Sequence, residues 1–150
     1  MKALTICQPY AHLICLPEAD PRHKRVENRT WATRYRGPIA IHAGKSRSWL
    51  DLSADKSIDE EYDIRVADMA FGAVVATANL VACLNIEAIV HGRYPDKYRW
   101  LATHNHTEDP WCWVLADVKA IEPIPYTGAQ GLWDFPEELI LGASAQAREE

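Results

Sequence analysis

Glu27 and Arg29 stand two residues apart in "KRVENRTWATRYRGPIAIHAGK", residues 24–45. In an extended segment that spacing puts both side chains on one face, where a carboxylate and a guanidinium form a charge-assisted pair. Arg29 can then grip a phosphate or a base edge while Glu27 orients it or accepts from a base amino group. The alternative is a plain ion pair closing the strand onto a neighbour, which contributes about 0–1 kcal/mol when exposed. Lys24 and Lys45 bracket the same segment. Each can contact a phosphate or serve with Glu27 as an acid/base pair, provided that burial or like charge depresses the lysine pKa; solvated lysines on a basic face are the plainer reading. His42 lies in the alternating apolar run "IAIHAG", either as a cleft residue or as a satisfied core histidine.

Other residues fit the same chemistry. Gln8 and Pro9 mark the first strand-to-helix turn, where a glutamine offers the donors and the acceptor that base-edge reading needs, or simply caps backbone. Arg36, beside Gly37, is a phosphate candidate. Trp31, Tyr35 and Trp133 can give stacking faces for single-stranded bases, each worth about 1–3 kcal/mol, while Trp111 and Trp113, two apart in an apolar strand, read as core. The run "HNHTED", residues 104–109, holds ligand-type side chains, but no distal partners stand out and it reads as a solvated loop; no metal and no cofactor are expected. The cysteines, Cys7, Cys15, Cys83 and Cys112, form no Cys-x-x-Cys pair and read as buried thiols, with Cys7 the best placed to react.

The charge is uneven. The net charge is -5, yet residues 22–47 carry eight bases against one acid, Glu27, and residues 51–68 carry seven acids against two bases. An anionic partner would feel the basic segment within roughly 8 Å at physiological salt. At 150 residues the chain is expected to form one domain, 1–150, large enough for a real core. No apolar run approaches the roughly 20 residues of a membrane span, and the broken N-terminal run does not read as a signal peptide. A cytoplasmic protein with no membrane contact is expected.

The elements that must position these residues follow from periodicity and punctuation. Strands are expected at "KALTIC", "KRVENRTW", "PIAIHAG", "GAVVATANLVACL" and "WCWVLADVKAIEPI", and short helices at "QPYAHLICL", "NIEAIVHG" and "PEELIL". Residues 46–70 read as one or two acidic surface helices, 93–110 as a polar aromatic loop, and 125–135 as a glycine-rich turn. Several strands with short helices inserted predict a small α+β domain built on a closed or partly closed barrel.

The order "LTICQPYAHLI", "VENRTW", "RGPIAIHAG", "FGAVVATANLVACL", "WCWVL", "GAQGLW" resembles the ASCH (activating signal cointegrator homology) family over roughly Leu4 to Trp133. The resemblance implies a PUA-like β-barrel with helices around it and a cleft lined by the early motifs, including Gln8, Pro9, Glu27, Arg29, Trp31, Arg36 and His42. It also implies nucleic-acid binding, of RNA and in some members of DNA; because the net charge of -5 would repel a long duplex beyond the cleft, RNA in a single-stranded or nucleotide-sized form is expected. Some members of the family hydrolyse acetylated cytidine, and one is linked to RNA cleavage; a ribonuclease or hydrolase acting on RNA or a modified nucleoside through Lys24, Glu27 and Lys45 is therefore the rival expectation. Two departures bear on it. The stretch before Glu27 lacks the family's glycine, and Glu27 stands three residues after Lys24 where the hydrolase members have a threonine.

Overall fold

The computed structural model describes residues 1–50 and 62–142. Six strands form one sheet: β1 (Lys2–Ile6), β2 (Val26–Arg29), β3 (Gly37–Ala43), β4 (Ala73–Asn85), β5 (Trp111–Pro125) and β6 (Leu132–Asp134). Their spatial order is β2-β5-β4-β3-β1-β6. β1 runs parallel to β3 and the other neighbours pair antiparallel. Two short helices, α1 (Tyr10–Cys15) and α2 (Ile86–Val90), interrupt the strands. No helix among the described residues is long and apolar enough to cross a membrane.

The sheet curls into a half-barrel because β4 and β5 are long and irregular. Their pairing shifts register at three places, and β3–β4 shifts once, between Ile41 and His42. Such bulges bend strands and increase their twist. Pro123, which has no N–H to give a ladder, falls in one of these shifts, so β5 runs on to Pro125. The concave side then closes on itself: Leu4 and Ile6 of β1, Ile39 and Ile41 of β3, Ala76 and Leu80 of β4, and Trp113 and Leu115 of β5 share one cluster with Ala11 and Ile14 of α1. Side chains complete what the strands leave open. Arg29 at the end of β2 donates from Nη2 to the Thr5 carbonyl of β1 at 2.7 Å, joining two strands that are not neighbours in the sheet.

All five expected strands and all three expected short helices are present, the third over 137–142. Three readings change. The glycine-rich stretch 125–135 is not only a turn, since β6 pairs with β1 from Lys2↔Asp134 to Leu4↔Leu132 and Phe135 plugs the sheet's other face beside Ala3, Ala40 and Val74. Of the acidic helices expected over 46–70, residues 51–61 lie outside the described residues. The described remainder holds only a 3₁₀ turn, Val66–Asp68, with Leu50, Ile64 and Met69 packed on Leu13. The 93–110 loop contains a 3₁₀ helix, Asp96–Ala102, whose Leu101 is fully buried.

Candidate functional site

The Glu-x-Arg spacing does what a period of two requires. β2 pairs with β5 so that Glu27 lies opposite Trp113 and Arg29 opposite Trp111, and both charged side chains line one cavity. Glu27 Oε2 accepts from Arg29 Nη2 at 2.9 Å, and Glu27 Oε1 lies 3.4 Å from Lys24 Nζ. Each carboxylate oxygen is thus held by a different cation. Lys24 is 4% exposed and Glu27 7%. The Lys24 backbone N–H donates to Leu13 at the end of α1, and its ammonium lies over the Tyr10 ring, 5.1 Å from the centroid. Two elements, α1 and β2, therefore fix all three charges.

This triad lines a cavity of about 680 Å³ that also takes in Thr5, Cys7, Tyr10, Asn28, Gly44, Lys45, Trp49, Tyr62, His106 and Glu108. Trp49 is 66% exposed, and its ring meets Tyr10 edge-on at 6.4 Å. Lys45 is exposed, and its stem lies across Gly72, where a Cβ would come within 2.9 Å of Lys45 Cε. Gly72 also has φ +65, a conformation glycine adopts without the usual steric cost.

The "HNHTED" run is a loop with Asn105, Glu108 and Asp109 exposed, but it also forms part of this wall through His106 and Glu108. His106 is buried, stacks on Tyr62 at 5.6 Å, and pairs through Nε2 with the Arg22 carbonyl. Asn28 ties the run down, donating to the His106 carbonyl at 2.7 Å and accepting from the Glu108 N–H at 3.0 Å. His104 accepts from the Arg25 N–H. Burial, then the neighbouring His106 and Arg25, holds the His104 pKa down at about 4. Burial and then Lys24 lower that of His106. Both rings therefore sit neutral beside Lys24. No group of three or more metal-ligating side chains occurs among the described residues.

Cys7 does line the cavity, but burial and then Glu27 push its thiol pKa up, away from the thiolate that a nucleophile needs. His42 lies in a neighbouring cavity of about 330 Å³ with Thr5, Gly44, Lys45 and residues 127–130. Its hydrogen bonds are spent locally: Nε2–H donates to the Tyr126 carbonyl at 2.7 Å, and Nδ1 pairs with the Thr5 hydroxyl at 3.2 Å. Trp133 donates to that same hydroxyl from Nε1 and stacks on Tyr126, so it is a structural ring here.

The remaining candidates stand apart from the main cavity. Gln8 is 1% exposed; its Nε2 donates to the Ala70 carbonyl and its Oε1 accepts from the His12 N–H, both at 2.8 Å, so the amide caps α1 and has no base edge to offer. Pro9 is buried at the N-cap of the same helix. Trp31 packs edge-on against Trp113 at 4.6 Å and accepts the Trp113 indole N–H on its carbonyl. Arg36 bonds the carbonyls of Thr33 and Tyr35 and lines a different groove, with Arg25 and Lys97 over β4 and β5. Tyr35 donates to the Pro38 carbonyl. The structure thus brings Lys24, Glu27, Arg29 and Lys45 together, seats His42 next door, and places Gln8, Pro9, Trp31 and Arg36 elsewhere. The sequence reading missed Tyr10, Trp49 and His106. For Trp49 a signal was present, since "GKSRSW" sets an aromatic at the end of a basic, hydroxyl-rich run that follows β3.

No family model matches the chain, and no curated protein sequence matches it. Solved structures do. A tyrosine-to-phenylalanine mutant of ZmASCH from Zymomonas mobilis superposes with a TM-score of 0.51 at 16% identity, covering 96% of each chain. A serine-to-alanine mutant of the same protein gives 0.50 at 16% identity, covering 97% of this chain and 94% of that one. At such identity the likeness concerns fold alone: the chain has the fold of an ASCH domain, a PUA-like α+β half-barrel.

Proposed function

We propose that this ASCH-fold domain binds RNA, taking a single-stranded or nucleotide-sized segment into the cavity of Lys24, Glu27 and Arg29. The observation that carries the reading is the buried Glu27 carboxylate held between two cations in a cavity of about 680 Å³, with Lys45 and Trp49 exposed on its lining. The volume falls within the roughly 300–1,000 Å³ of small-molecule sites. A carboxylate that cannot rotate away is a directional acceptor for a base amino group. Arg29 adds further N–H donors, Lys45 a phosphate contact and Trp49 a stacking face. Filter binding of RNA and DNA oligomers across a salt series tests it. Retention at low salt that weakens linearly with log salt is expected; no retention at low salt, or no salt dependence, overturns it.

A hydrolytic reading draws on one observation, the 3.4 Å approach of Lys24 Nζ to Glu27 Oε1, which makes an acid/base pair inside the cavity. Thr5 is a poor replacement for the missing threonine nucleophile because its hydroxyl is engaged by Trp133 and His42. Incubation with labelled RNA and with modified cytidines, with and without magnesium, decides it. Turnover that disappears in Lys24→Ala would make the protein an enzyme.

A further inference from the structure

We infer that the ligand is a chain of at least two nucleotide units, with the second unit seated in the cavity beside His42. This rests on the RNA-binding reading above and extends it.

The main cavity and the His42 cavity share three lining residues, Thr5, Gly44 and Lys45. Two of the three leave little bulk between them. Gly44 has no side chain, and a Cβ there would meet Thr5 Cγ2 at 3.2 Å. Thr5 is drawn back by its bonds to Trp133 and His42. Of the residues shared by the two linings Lys45 is the one with a charge, and its stem passes close over Gly72, where a Cβ would come within 2.9 Å of it. An anionic link between two units, lying over Lys45, is what that arrangement accommodates. A free nucleoside has no group to place there and would leave the second cavity unused.

The second cavity is suited to a flat, largely apolar body with one polar edge. Gly128 forms its back wall so closely that a Cβ would lie 2.6 Å from both His42 Cε1 and Thr5 Oγ1. The polar groups of Thr5 and His42 are already satisfied within the wall. Gln130, exposed on the same loop, is left to meet the polar edge of an occupant. At about 330 Å³ the space lies near the lower end of small-molecule sites and suits a single base. The charge pattern agrees: the main cavity carries Glu27 and Glu108 against its cations, while among the described residues the second has Lys45 as its only formal charge.

The test compares ribonucleosides, ribonucleoside monophosphates and ribo-dinucleoside monophosphates of all base combinations by calorimetric titration at low salt. Dinucleoside monophosphates are expected to bind at least tenfold more tightly than the best monophosphate. Ala129→Phe, which adds bulk to the lining of the second cavity and none to that of the first, should erase that gap and leave monophosphate binding in the main cavity as it was. Lys45→Ala should erase the separate gap between monophosphates and nucleosides, and Lys45→Arg should keep it. If RNA oligomers bind but dinucleoside monophosphates bind no better than monophosphates, the two-unit inference falls and the RNA-binding reading stands. If Ala129→Phe leaves the dinucleotide gap intact, the second cavity is not its source and the inference is overturned. If oligomers do not bind at all, both fall.

Discussion

Replacing Glu27 by glutamine keeps the side chain's size and removes its charge. The carboxylate now takes Arg29 Nη2 on one oxygen at 2.9 Å and faces Lys24 Nζ at 3.4 Å on the other. Removing one member of a buried ion pair costs about 3–5 kcal/mol, because the remaining charge is stranded away from water. Lys24, at 4% exposure, is stranded in that sense. Arg29 is less so: its side chain is 24% exposed and keeps its bond to the Thr5 carbonyl. Lys24 also lines the main cavity, whose volume of about 680 Å³ leaves room for solvent. The expected loss is therefore below the full range, about 2–3 kcal/mol, which lowers Tm by roughly 5–10 °C in a chain of this length.

Urea denaturation reads this directly as a lower midpoint with an unchanged slope. Lys24→Met should cost less than Glu27→Gln, because Glu27 then still has Arg29. In the double variant no uncompensated lysine remains, so it should be more stable than the sum of the single losses implies, by more than about 0.5 kcal/mol. Two results would refute the reasoning. One is a Glu27→Gln stability within about 0.5 kcal/mol of the parent, the usual range for a surface change. The other is strict additivity in the double variant.

Three further outcomes follow from the same geometry. Trp49→Ala should weaken RNA binding by about 1–3 kcal/mol, the worth of one stacked base, and leave Tm nearly unchanged because the ring is 66% exposed; unchanged affinity by filter binding would remove Trp49 from the site. Gln8→Ala should cost about 2–3 kcal/mol in urea, since it leaves the Ala70 carbonyl and the His12 N–H without their partner, while the folded fraction binds RNA as before. The third concerns pH. His104 has a folded pKa of about 4 against an ordinary 6.5, and that of His106 is also lowered. The fold favours the neutral rings, so the unfolded chain takes up protons that the folded chain does not. Stability is then full above pH 6.5 and falls as the pH drops toward 4, by roughly 2–3 kcal/mol for His104. The urea midpoint between pH 7 and 5, above the carboxylate range, should decline in the parent and decline less in His104→Asn.

The legible part of this molecule was the part governed by local rules. Glu27 and Arg29 share a face because strands alternate, and β4 and β5 announce themselves through long valine-rich or tryptophan-bearing runs. Gln8 was left between two readings because its residue type serves two ends equally well. Whether its amide reads a base or caps a helix depends on the Ala70 carbonyl, which reaches it from 62 residues away in the chain. Pairing of β6 was hidden for a similar reason: three residues carry no period, and their strand exists only because β1 offers an edge. His106 looked solvated by composition. Its burial comes from Asn28 and Tyr62, both distant in sequence.

Charge shows the same gap between chain and space, and here the difference bears on function. The eight bases of residues 22–47 read as one basic feature, but the fold divides them. Lys24, Arg29 and Lys45 reach the main cavity. Arg25 lies over Trp100 at 3.7 Å and shares a separate groove with Arg36. Arg22 is held by Asp20 and the Tyr62 carbonyl, and Arg47 lies over Phe71 at 4.1 Å. In the cavity Glu27 engages Lys24 and Arg29 directly, so among the described residues Lys45 is the cation left for a phosphate. One or two phosphate contacts change log affinity by only about −0.7 to −1.4 per unit of log salt on a single strand. A slope in that range would match a site that selects by shape and hydrogen bonding with little help from its field. A slope steeper than about −3 would mean that the Arg25–Arg36 groove also carries the strand, and the cavity would then be one end of a longer track.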